Sequence, residues 1–224
     1  MSFGMQVKVS VVGDSYIWRL LKYIDDKRAA DILGKYDRAF NLYKEDVEIT
    51  YDHKSGGLFD DLRKLAKKRV MKGDVDILVM MAGGNDIDMG IVDNKQLADD
   101  IFELALDLIE ADIVKFVLLT QIINREKPRN LTRNQYRQKA EEFIGKINEL
   151  SQFHPRIIFW RHDRMRTGRP MHEDGVHLNC VGHYLLYNSL KKALAHLFDH
   201  LSRSEECQCD GGRQITKSRK KERR

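Results

Sequence analysis

Five short apolar runs rich in β-branched residues recur along the chain: Val7 to Val12, Val47 to Tyr51, Ile77 to Ala82, Val114 to Leu119 and Ile157 to Trp160. Their near-continuous hydrophobicity suits strands covered on both faces, since a half-exposed strand would alternate apolar with polar positions. Between the runs the apolar spacing changes to three and four residues. Leu62, Leu65, Ala66 and Val70 mark one helix face, and Leu97, Ile101, Leu104, Ala105, Leu108 and Ile109 another. Tyr136, Ala140, Phe143, Ile144, Ile147 and Leu150 form a third; Tyr184, Leu185, Leu190, Ala193, Leu194 and Leu197 form a fourth. With a helical stretch opening at Tyr16, strand and helix alternate five times, which requires crossover connections. The fold expected is α/β, a five-stranded parallel sheet with helices on both faces. Ligands of such sheets bind beyond the carboxyl ends of the strands, so chemistry is sought directly after each run.

Gly13-Asp14-Ser15 follows the first run and opens a helix. A serine on that turn lies exposed at the carboxyl edge with its hydroxyl near the positive end of the helix, a good position for a nucleophile. Asp14 or Ser15 as a simple helix cap is the plainer alternative. Gly83-Gly84-Asn85-Asp86 follows the third run. Glycines admit a ligand close to the backbone, and an Asn amide can donate to a developing oxyanion; an ordinary glycine-rich turn would look the same. Asp174-Gly175-Val176-His177 precedes the last helix, and a carboxylate three residues before an imidazole can fix its tautomer and stabilise the imidazolium. Ser55-Gly56-Gly57, after the second run, offers unobstructed backbone N–H groups. Each signal is weak alone, but all four fall at one edge and together fill every role in acyl transfer. Ser15 is the nucleophile, His177 the general base, Asp174 its orienting group, and the oxyanion donors are Ser15 and Gly56 N–H with the Asn85 amide.

The sequence resembles the SGNH or GDSL hydrolase superfamily. The blocks read GDSY at Gly13 to Tyr16, SGG at Ser55 to Gly57, GGND at Gly83 to Asp86 and DGVHLN at Asp174 to Asn179, in the family's order, and the resemblance spans Val7 to Leu201. It implies a flavodoxin-like three-layer α/β/α sandwich, cofactor-free and metal-free esterase or acetylhydrolase chemistry on small acyl esters, and the same roles for Ser15, Gly56, Asn85, Asp174 and His177. Two departures stand out. Tyr16 replaces the leucine common after the serine, at a position expected to carry no chemistry. The second block is short, so Gly56 and Gly57 compete for the oxyanion N–H; Gly56 is preferred because Asp61-Leu62 then follow at the usual distance. The long loop from Thr120 to Thr132, with Gln121, Asn124 and Arg125, is expected to shape one wall of the cleft.

Composition narrows the remaining choices. With 224 residues, 42% hydrophobic and 33% charged, and only three prolines, the chain reads as one packed domain, 1–201, with a basic tail, 202–224, expected to be disordered. That tail holds eight Lys/Arg against four acids, +4 of the formal +5, so the domain itself is nearly neutral. Three cysteines, Cys180, Cys207 and Cys209, form no disulfide framework, and no window resembles a leader or a membrane span. An intracellular, cytoplasmic protein is expected, or a nuclear one if the tail is a localisation signal. His172, Glu173, Asp174 and His177 could be read as a metal cluster, but the triad explains Asp174 and His177 together with Ser15. Met80 and Met81 read as core, and the loop with Arg161, His162, Arg164, Arg166 and Arg169 as a solvated charged segment. The competing class of function is a binding or assembly module of the kind associated with retrotransposons, with a vestigial site and a tail that binds nucleic acid weakly. Completeness of the four blocks argues against decay. Oligomeric state is not read from the sequence.

Overall fold

A computed structural model describes residues 6–30, 36–42, 47–73, 75–90, 92–163, 165 and 169–210. Five strands, β1 (Val7–Gly13), β2 (Val47–His53), β3 (Ile77–Met81), β4 (Phe116–Thr120) and β5 (Ile157–Trp160), form one sheet in the order β2-β1-β3-β4-β5. Every neighbouring pair is parallel. This is the flavodoxin-like arrangement, and its order reverses beside β1, so β1 and β3 flank the crevice in which such sheets carry their sites.

The helices are α1 (Ser15–Ala30), α2 (Phe59–Val70), the short α3 (Gly84–Met89), α4 (Asn94–Glu110), α5 (Arg133–Ser151) and α6 (Cys180–Asp210). Alternation along the strands divides the core into two layers of packing. Val12, Leu78, Met80, Val117 and Leu119 face α2, α4 and α5, packing with Leu62 of α2, Ile101 and Leu104 of α4, and Phe143 of α5. Val9, Val11, Ile77, Val79, Met81 and Leu118 point the other way, toward Ile17, Leu20 and Ile24 of α1 and Leu186, Leu190 and Leu194 of α6. The result is three layers, with strands buried on both faces as their uninterrupted hydrophobicity requires. Met80 and Met81 are core, on opposite faces of β3.

Two boundaries differ from the apolar pattern. Val114 is buried, yet its N–H donates to Leu108 O at the end of α4, and pairing begins only where Lys115 and Phe116 N–H reach Asp76 O. An apolar run therefore includes residues whose backbone closes the preceding helix. The last helix also continues past Leu201 to Asp210. Residues 211–224, with the basic cluster Lys217 to Arg224, lie outside the described residues, as do the side chains of Cys207 and Cys209. Among the described residues no helix is long and apolar enough to cross a membrane.

Leu118, in β4, has no exposed surface. Leu118→Ala is expected to cost about 2–5 kcal/mol of stability, through lost burial and an incompletely collapsed cavity, measurable by urea denaturation.

Candidate active site

The carboxyl ends of β1, β2 and β3 bring three of the four motifs side by side. Gly13 ends β1 and Ser15 begins α1, while the Asp14 side chain accepts the Tyr16 N–H at 2.9 Å. Asp14 thus acts as the cap, which leaves the Ser15 hydroxyl for other work. Lys54 N–H donates to Gly13 O at 3.1 Å, extending the β1–β2 pairing and setting the Ser55-Gly56-Gly57 turn beside the serine. Gly57 N–H closes this turn onto Lys54 O at 2.9 Å, and Gly56 has φ of 69°, a left-handed conformation that favours glycine. Because the Gly57 N–H is committed to the turn, Gly56 is the better placed of the two as an outside donor.

The fourth motif arrives from the segment before α6. Ser15 Oγ lies 3.2 Å from His177 Nε2, and His177 Nδ1 lies 2.7 Å from Asp174 Oδ2. The other Asp174 oxygen accepts the N–H groups of Val176 at 2.9 Å and His177 at 2.8 Å. Partial burial pushes the Asp174 carboxyl up, but those bonds and the His177 ring outweigh it and hold it well below the usual carboxylate range. Asp174 is therefore an anion facing the imidazole. His177 itself is lowered from its ordinary value, mainly by burial and further by the Arg19 and Arg125 charges, against the upward pull of Asp174. A neutral imidazole beside a serine hydroxyl, with its far nitrogen held by a carboxylate, can accept the hydroxyl proton.

Asn85 sits in the first turn of α3. Its Nδ2 donates to Gly57 O at 2.9 Å and to Asp14 Oδ2 at 3.2 Å, while Arg125 Nη2 donates to its Oδ1 at 2.7 Å. Burial pushes the Asp14 carboxyl up to about 6, against the lowering effects of the Tyr16 N–H and the Arg125 charge. Asp86, the last residue of GGND, accepts the Phe59 N–H at 3.0 Å on each oxygen, tying the start of α2 to α3.

Solved structures with the same architecture were found by comparison. They include a GDSL-like lipase from Bacteroides thetaiotaomicron (TM-score 0.65, 17% identity, 85% of this chain and 88% of that one). The chain has the SGNH/GDSL hydrolase fold. A catalytic mutant of Axe2, an acetylxylan esterase from Geobacillus stearothermophilus, is similar with a TM-score of 0.62 and 15% identity over 86% of this chain and 95% of that one. TesA is similar with a TM-score of 0.59 and 16% identity over 84% of this chain and 97% of that one. No family model matches the sequence, and no curated protein does.

Within this SGNH/GDSL fold, several residues contribute in ways that the four blocks do not disclose. Tyr16, at the position expected to carry no chemistry, is buried, and its hydroxyl donates to Val176 O beside His177. It joins the serine turn directly to the histidine segment, which a leucine could not do. Arg125 and Asp88 form a buried ion pair, and Arg125 also bonds Asn85, so Arg125 braces Asn85 from within the protein instead of lining an open cleft wall. The expectation of a solvated charged loop fails for His162, which is buried with Nδ1 2.9 Å from Ser189 Oγ and lowered to about 4 by burial. Arg161 and Arg169 are exposed, while Arg164 and Arg166 lie outside the described residues.

Tyr16→Phe is expected to leave the buried Val176 carbonyl unpaired and to cost roughly 1–3 kcal/mol, read as a lower midpoint in chemical denaturation.

Proposed function

We propose that the chain is a serine esterase of SGNH type, hydrolysing short acyl or acetyl esters. The observation that carries this reading is the continuous chain Ser15 Oγ, His177, Asp174, with the Asn85 amide at the same sheet edge. Ser15 Oγ attacks the ester carbonyl carbon while His177 Nε2 takes its proton, and the anionic Asp174 stabilises the imidazolium. The carbonyl oxygen becomes an oxyanion held by Ser15 N–H, Gly56 N–H and Asn85 Nδ2. Of the two bonds Asn85 Nδ2 makes, the longer, to Asp14, is the one exchanged for the oxyanion. His177 then protonates the departing alcohol, and a water activated by the same imidazole releases the acid and restores Ser15.

The GDSL-like lipase and acetylxylan esterase similarities support ester chemistry as the class. A binding or assembly module with a nucleic-acid-binding tail draws no support from the site, and its tail residues 211–224 lie outside the described residues.

Wild-type protein is expected to hydrolyse p-nitrophenyl acetate and Ser15→Ala to lose that turnover; folded wild type without Ser15-dependent hydrolysis would remove the enzyme reading. Asn85→Ala should lower kcat on the order of 10²–10³-fold. Because His177 must be neutral to accept a proton and its pKa is lowered, kcat/KM should rise with pH along an acid limb whose midpoint lies below 6.5.

A further inference from the structure

A carboxamide serves as an oxyanion donor only if its nitrogen, not its oxygen, faces the reacting carbonyl. Nothing in an isolated Asn enforces that choice, since the two ends are nearly equal in size. Here Arg125 Nη2 donates to Asn85 Oδ1 at 2.7 Å, and the reversed amide would set N–H against N–H. The guanidinium is itself immobilised. It pairs with Asp88, both side chains being 3% exposed, and its carbon lies 5.5 Å from the centroid of the Tyr136 ring. The second Asp88 oxygen accepts the N–H groups of Arg129 at 2.9 Å and Asn130 at 3.2 Å, so the carboxylate is anchored independently of Arg125. Arg125 Nε is buried with no hydrogen-bond partner among the described residues, while Nη1 bonds Asp88 and Nη2 bonds Asn85.

We propose, resting on the esterase reading, that Arg125 is a positioning residue for the reaction, acting through Asn85: together with Gly57 O, which accepts from Nδ2, it holds the orientation of the amide, and it alone polarises the amide toward the oxyanion. A cation bonded to Oδ1 in buried surroundings draws electron density from the amide and strengthens the Nδ2–H groups as donors. The same segment reaches the other half of the machinery, because Glu126 and Lys127 N–H donate to Gly175 O at 2.7 and 3.0 Å. Gly175, with φ of 65°, sits so close that a Cβ there would fall 2.8 Å from Lys127 N. Residues 125–127 thus connect the oxyanion donor to the loop that carries Asp174 and His177. A purely structural ion pair would need no bond to Asn85, and buried pairs are often no more stabilising than apolar residues of similar size.

The test is a double-mutant cycle of Arg125→Lys with Asn85→Ala, reading kcat and KM for p-nitrophenyl acetate. Lysine keeps a charge for Asp88 but lacks the fork that serves Asp88 and Asn85 together. Arg125→Lys is expected to lower kcat roughly tenfold with KM little changed, and to lower it by less than about twofold when Asn85 is already alanine. Should Arg125→Lys fail to fold, Arg125→Met with Asp88→Asn, which removes both charges and keeps an oxygen acceptor for the Arg129 and Asn130 N–H groups, replaces it in the cycle with the same expectation. Equal losses with and without Asn85, or an unchanged kcat, would overturn the role of Arg125 while leaving the esterase reading intact. Absence of Ser15-dependent turnover in the wild type would instead overturn the esterase reading and this role with it.

Discussion

All-parallel pairing forces every strand to deliver its chain at the same edge of the sheet, and the site depends on that constraint. β1, β2 and β3 end together, so a serine turn, a glycine turn and the Asn85 helix meet without any long excursion of the chain. The Lys54 N–H bond to Gly13 O extends the ladder past the last regular pair and sets the spacing between the first two turns. The histidine comes from beyond β5, at the far end of the strand order, and requires separate ties. Tyr16 to Val176 O supplies one, and the Glu126 and Lys127 N–H groups to Gly175 O supply another.

These ties are polar and largely buried, and each would be costly if left incomplete. The structure completes them by sharing. Asp86 satisfies the first N–H of α2, Asp88 satisfies Arg125 and two backbone N–H groups, and Asp14 accepts from both Tyr16 N–H and Asn85. Three buried carboxylates thus tie the turns at this edge of the sheet to one another. Asp174, in contrast, is partly exposed and gains its anionic character from directed hydrogen bonds.

The five strands, their parallel order and the layers on either side are legible from apolar periodicity, because burial on both faces leaves an unbroken signature. The four motifs are legible because each follows a strand or precedes a helix where such folds hold ligands. The start of β4 is not, since Val114 is apolar for packing while its backbone belongs to the α4 terminus. His162 reads as solvated because its neighbours in sequence are charged, whereas its neighbours in space are Gln121 and Ser189. The roles of Tyr16, Asp88 and Arg125 stay hidden for a related reason. Their importance lies in partners 160, 37 and 40 positions away, and residue type does not disclose a partner.

Whether Ser15 is a nucleophile activated by His177 is tested most directly by mass-spectrometric mapping of a fluorophosphonate adduct. A single adduct on the peptide carrying Ser15 is predicted in wild-type protein, and none when His177 is replaced by alanine. An adduct on a different residue, or none on wild-type protein that circular dichroism shows to be folded, would contradict that role.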